Sequence, residues 1–130
     1  MPSPKRIGDA GEYYVAFALS RLDVSIGILS TNTPGADIIA TKTGAKTASI
    51  QVKSSFGKNN PKLWYAGKSA PSPSLNFFYV FVNIGTTDCY IIPSAMVSSY
   101  LIRQTTRPHY QLDSSWSAYI NNWQLILNVL

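Results

Sequence analysis

Acidic residues are scarce in this chain of 130 residues: six Asp and Glu stand against eleven Lys and Arg, and charged residues make up only 13% of the sequence. A typical globular protein has about 25%. Cysteine and histidine occur once each, as Cys89 and His109. An intramolecular disulfide is therefore excluded, a zinc site built from Cys and His is excluded with it, and a reducing, cytoplasmic setting is expected. No apolar run approaches the ~18 residues of a membrane-spanning helix, so no membrane association is expected. The nearest approach to a signal-peptide core, Tyr13 to Leu19, follows Lys5 and Arg6. Asp9 and Glu12 interrupt that approach, and the Ala16-Phe17-Ala18 triplet falls inside the run, so a secretory leader is not expected. A Gly-rich phosphate loop is also missing, which argues against a nucleotide cofactor.

What is present suffices for one buried core. The chain is 45% hydrophobic and 12% aromatic, and its length suits a single domain over residues 1–130. The net charge of +5 permits a polyanionic partner. Only Asp9, Glu12, Asp23, Asp37, Asp88 and Asp113 can supply a carboxylate. The informative ones are those in positions where a carboxylate is costly.

Residues 1–7 read as a flexible basic arm. From Gly8 to Leu22 the pattern is helical, with Val15, Leu19 and Leu22, joined by Ala18, in one apolar stripe. One turn back along that stripe lies Glu12. Asp9 falls in the first turn, where the helix dipole favours an acid. Ile26 to Leu29 reads as a strand and Thr31 to Gly35 as a turn. Strands are expected at Ala36–Thr41 and Thr47–Lys53, joined about Gly44; in the second, Thr47, Ser49, Gln51 and Lys53 alternate with Ala48, Ile50 and Val52. A long loop rich in Lys, Ser, Pro and Gly covers residues 54–75 and carries Trp64 and Tyr65. Asn76–Ile84 is the most hydrophobic strand and Asp88–Ile92 its hairpin partner. Pro93 opens a helix to about Arg103. Asp113 or Ser114 caps a last helix with Trp116, Ile120, Trp123 and Leu127 on one face, as core or dimer interface. The order α-β-β-β-β-β-α-α describes one α/β domain.

A hairpin centred on Gly44 opposes residues whose numbers sum to about 88. Asp37 then faces Gln51, and Lys53 shares the same face two residues on. An even sum gathers the three side chains, whereas an odd one separates them. If the helix bearing Glu12 packs on that face, two acids, an amide and a lysine converge.

Pro34-Gly35-Ala36-Asp37 followed by Gln51-Val52-Lys53, behind a helix bearing Glu12, resembles the PD-(D/E)xK nuclease superfamily. The similarity is to members with a Q-x-K third motif, such as Mrr-like restriction enzymes, and the helix-first layout is that of archaeal Holliday-junction resolvases. The resemblance implies a restriction-endonuclease-like core, a mixed central sheet of about five strands flanked by helices. It also implies a Mg²⁺-dependent endonuclease hydrolysing DNA phosphodiester bonds, in restriction, repair or junction resolution, with Mn²⁺ able to substitute. Asp37 would be the main ligand, beside the Gln51 amide oxygen and the Val52 backbone carbonyl, with Glu12 binding directly or through water. Lys53 would orient the attacking water or stabilise charge on the phosphate. Gln51 stands where most members carry an acid, and this favours the alternative of a catalytically inactive nuclease fold kept for DNA binding or protein interaction.

Lys58, Lys62 and Lys68 on the long loop, and Lys5 and Arg6 near the N-terminus, are candidates for phosphate contact, with Arg103 and Arg107 as further ones. Trp64 and Tyr65 are expected to fold under the loop rather than stack on a base. Cys89 is expected to pack as a small hydrophobe, not to act with His109. A chain this short has little surface left for target choice, so a homodimer, or a partner that selects the site, is expected.

Overall fold

The structure, a computed structural model, describes residues 2–29, 35–57, 63–65, 76–102, 107–112 and 117–130. The chain runs α1 (Pro4–Ser20), β1 (Ser25–Ile28), β2 (Ile38–Thr41), β3 (Thr47–Ser55), β4 (Leu63–Tyr65), β5 (Phe77–Asn83), β6 (Cys89–Pro93) and α2 (Ser94–Val97). A 3-10 turn at Ser98–Tyr100, β7 (Leu101–Ile102), β8 (His109–Gln111) and α3 (Gln124–Leu127) follow. Five strands form a mixed sheet in the order β1-β2-β3-β5-β6, with β3 and β5 parallel and the other neighbours antiparallel. A second, antiparallel sheet has the order β4-β8-β7. This is the mixed α/β architecture expected. No helix among the described residues is long and apolar enough to cross a membrane.

β5 is the spine because its run FFYVFVN is apolar on both faces. Phe78, Val80 and Val82 join Ile38, Ala40, Ala48, Ile50, Val52 and Ile91 in a core under α1, which contributes Val15 and Leu19. Tyr79 and Phe81 point the other way, into a second core with Tyr90, Ile92, Trp64 and Tyr110. The small sheet thus covers the face opposite α1. Trp64 ties it down: the indole is 1% exposed, packs 5.3 Å from the Phe81 ring, and donates to the Val82 carbonyl at 2.9 Å.

The β2–β3 hairpin has the anticipated register. Ile38 pairs with Ile50, Ile39 with Ser49, Ala40 with Ala48 and Thr41 with Thr47, a constant sum of 88. Gly44 takes φ +81°, a conformation glycine adopts without strain, and its N–H donates to the Thr41 hydroxyl at 3.0 Å.

Several expectations are corrected. The basic arm is helix from Pro4 onward, with Ser3 as N-cap accepting from the Arg6 N–H and Pro4 in the first turn. Asp9 consequently sits in the second turn, where it accepts from Lys5 at 3.0 Å. Leu22 lies beyond the helix and is exposed. The helix expected over Pro93–Arg103 stops at Val97, and the chain re-enters extended structure at Leu101. No single helical face carries Ile120, Trp123 and Leu127; among the described residues of this segment only Gln124–Leu127 is α-helical. Ile120 bridges Tyr90 on the edge of β6, whereas Trp123 and Leu127 pack on the α1 side. The long loop is interrupted by β4. Trp116 lies outside the described residues.

Candidate active site

Asp37 occupies a bend immediately before β2, not the interior of the strand as expected. Its N–H donates to the Ile50 carbonyl and its own carbonyl accepts from Leu29, both at 2.8 Å, so the backbone is held from two sides. The carboxylate reaches across to β3. There, Oδ2 accepts from the Val52 N–H and from Gln51 Nε2, each at 2.8 Å. In an extended strand a residue's N–H and C=O point the same way, so the Val52 carbonyl also faces this end of β2.

Gln51, expected to offer its amide oxygen, therefore donates through nitrogen to Asp37. Lys53 follows on the same face, opposite Phe81 in the register, as Gln51 lies opposite Tyr79. Glu12 arrives differently from the expectation. α1 packs on the apolar face of β3, against Val52 and Ser54, not on the face of Gln51 and Lys53. Gly11 makes this approach possible, because a Cβ there would overlap the Ser54 hydroxyl and stand 2.9 Å from Ser54 Cβ. The adjacent Glu12 comes near enough for Asp37's charge to act on it.

The electrostatics describe a pocket where charge is costly. Partial burial, then the charge of Asp37, pushes the Glu12 carboxyl above the ordinary carboxylate range. Burial raises Asp37 as well, against the Val52 N–H and the Lys53 ammonium, which pull it down. Burial lowers Lys53, and Asp37 resists that shift. Asp37 is thus flanked by an acid from α1 and a cation from β3. Tyr79 is a neighbour that sequence reasoning missed: burial raises its phenol, a hydrogen bond with Tyr110 lowers it, and Asp37's charge adds to the raise. Its only signal is a parallel register that the sequence does not reveal.

Donor chemistry limits what the pocket can hold. Among the described residues no three His, Cys, Asp or Glu side chains converge. Two carboxylates and a backbone carbonyl form an all-oxygen set suited to a hard divalent cation, not to zinc. Lys5 and Arg6, expected to contact phosphate from a flexible arm, lie exposed on the first turn of α1, where Lys5 donates to Asp9 and its charge reaches Glu12. Lys58, Lys62 and Lys68 lie outside the described residues, as does Arg103. Cys89 is buried in β6 with its thiol pushed up to about 12 by burial and then by Asp88, while His109 belongs to the other sheet.

No protein-family model matches the chain, and no curated protein matches it by sequence. Among solved structures, the bacterial homing endonuclease I-Ssp6803I is similar with a TM-score of 0.73 and 16% identity, over 98% of this chain and 94% of that one. The chain therefore shares the fold of a nuclease across nearly its whole length.

Proposed function

We propose that this protein is a Mg²⁺-dependent endodeoxyribonuclease of the PD-(D/E)xK type in its Q-x-K form, with Mn²⁺ able to substitute. The observation that carries the reading is the Asp37 carboxylate, held by Gln51 and Val52 at the end of β2 between Glu12 and Lys53. That this arrangement sits in a fold shared with an endonuclease supports it further.

Asp37, Glu12 and the Val52 carbonyl would hold the cation, with Gln51 beside them. When bound, the cation would polarise the phosphate and lower the pKa of a water. The remaining work falls to the chain. Gln51 and Val52 both bond Oδ2 of Asp37, which orients the carboxylate and leaves Oδ1 for a ligand. Lys53 is half-buried, so its ammonium acts on phosphate oxygens with little solvent screening. Two strands of a duplex call for two such centres, which a homodimer would supply. The enzyme would act in the cytoplasm.

The test is cleavage of supercoiled and branched DNA in Mg²⁺ or Mn²⁺ by the wild type, Asp37→Ala and Lys53→Ala. Activity in the wild type alone supports the proposal; equal cleavage by all three refutes it. One observation favours a second reading, an inactive DNA-binding or protein-interaction module: Gln51 turns its nitrogen toward Asp37. In that case metal titration finds no specific site, and DNA binding survives Asp37→Ala.

A further inference from the structure

β5 carries a hydroxyl that its core does not require. Phe77, Tyr79 and Phe81 stand in one row on the strand, and the two flanking phenylalanines show that a bare ring serves that layer. Tyr79 is only 7% exposed, and a buried hydroxyl is costly unless it is bonded. Tyr110 on β8 supplies one bond, its ring centroid 5.9 Å from that of Tyr79. Burial lifts the Tyr79 phenol above its ordinary range, and the Tyr110 bond draws it back, as a bond accepted by its oxygen does. Tyr110 is thus the donor, and the Tyr79 proton is directed to another acceptor.

The parallel register says where that hydroxyl stands. Tyr79 pairs with Gln51, and Phe81 with Lys53. Paired residues of neighbouring strands project to the same face, so Tyr79 lies beside the amide that bonds Asp37. It is close enough for Asp37's charge to act on it. A phenol keeps its proton at neutral pH, so it offers this site a hydrogen bond without adding charge. In phosphodiester hydrolysis negative charge grows on the phosphate oxygens, where a fixed donor acts most strongly. We propose that Tyr79 is a further residue of the Asp37 site, its hydroxyl held by Tyr110 and donating to a non-bridging phosphate oxygen of the substrate. The inference rests on the nuclease reading and extends that site from β3 to β5. Tyr79 keeps its proton throughout; Tyr110 acts only through it, as a positioning residue.

The test is cleavage of a duplex with a mapped cleavage position, in Mg²⁺, by full-length wild type, Tyr79→Phe, Tyr110→Phe and the double variant, with melting temperatures alongside. Tyr79→Phe keeps the ring and is expected to lower kcat about tenfold to a hundredfold, with KM and the Mg²⁺ dependence unchanged. Tyr110→Phe is expected to lower kcat less, and the double variant to match Tyr79→Phe. Sulfur is a poor acceptor, so one phosphorothioate diastereomer at the cleaved position should slow the wild type and slow Tyr79→Phe no further. Should Tyr79→Phe lower the melting temperature, the oxygen-to-sulfur comparison within each protein still separates a phosphate contact from a packing role. A Tyr79→Phe kcat equal to that of the wild type, or equal slowing of both proteins by each diastereomer, would overturn the role of Tyr79 and spare the nuclease reading. A wild type that cleaves neither supercoiled nor branched DNA would overturn both.

Discussion

Gln51→Glu separates a pocket built for a cation from one that is merely polar. In the wild type the amide donates to Oδ2 of Asp37 at 2.8 Å. The substitution removes a hydrogen bond to a charged acceptor, a loss of about 1.5–3 kcal/mol. It also sets a second carboxylate against the first. Two like charges about 4 Å apart repel by roughly 1 kcal/mol in bulk water and roughly 4 kcal/mol at an effective dielectric of about 20. Relaxation and proton uptake limit the sum, and a net loss of about 3 kcal/mol is expected at neutral pH, a fall in melting temperature of about 10 °C. The new carboxyl and Asp37 both have folded pKa values above their unfolded ones. The fold therefore binds more protons than the unfolded chain as pH rises out of the ordinary carboxylate range, and stability is lost over that interval. Below about pH 4 one carboxyl carries a proton and can donate it, so the variant should approach the wild type.

Divalent cations should reverse the effect. With Glu12, Asp37 and the new carboxylate around one point, Mg²⁺ at about a hundred times its dissociation constant contributes about 2.7 kcal/mol and restores most of the lost stability. The assay is thermal unfolding at neutral and acid pH, with and without Mg²⁺. A variant as stable as the wild type without metal would refute the reasoning. So would a loss that neither Mg²⁺ nor acid reduces.

Three further outcomes follow from the same geometry. Asp37→Asn keeps an oxygen to accept from Gln51 and Val52, so it should melt no lower than the wild type; it should lose cleavage and any Mg²⁺-induced rise in melting temperature, and NMR titration should find Glu12 nearer the ordinary carboxylate range. Gly11→Ala should destabilise by about 1–3 kcal/mol, because the helix must lift off Ser54, and Ser54→Ala should recover part of that loss. Alone, Ser54→Ala should be neutral or stabilising by denaturant unfolding, since its hydroxyl is buried without a partner. Trp64→Phe removes the indole N–H that reaches the Val82 carbonyl and leaves a void against Phe81, and should cost about 2–4 kcal/mol by the same assay.

Much of the frame was legible because it is local. The β2–β3 register follows from one turn glycine and an alternation of polar and apolar residues, and the sum of 88 holds at all four pairs. The start of α1 was also written in Ser3-Pro4, an N-cap followed by a first-turn proline, but Pro2 and Pro4 beside Lys5 and Arg6 also suit an arm. The C-terminal third was less legible for a different reason. Val97 and Tyr100 are buried at helical spacing, yet the chain turns extended at Leu101 because β7 pairs with β8, and β8 with distant β4. Ile120 and Trp123 are three residues apart and serve opposite faces of the central sheet. Spacing alone cannot distinguish one helical stripe from a segment wrapped around a sheet edge.

The face covered by α1 bears most directly on the site. Gln51 and Lys53 project to one side of the sheet and α1 lies on the other, an arrangement that would ordinarily keep a helix glutamate apart from them. The separation fails only where a strand stops. β2 begins at Ile38 while β3 continues to Ser55, so past Ile50 β3 has lost its partner on that edge. The Val52 N–H, which a longer β2 would engage through its backbone, is taken instead by the Asp37 side chain. Groups from both faces can meet around that open edge: Glu12 from the α1 side, Lys53 from the other, Asp37 between them. The separation of 14 positions from Asp37 to Gln51 then has a physical meaning. It is the hairpin length that places an acid one residue before the last pair and its amide partner one residue after it. Extending β2 by two residues toward its N-terminus would close the edge and remove the pocket without altering any of the four side chains.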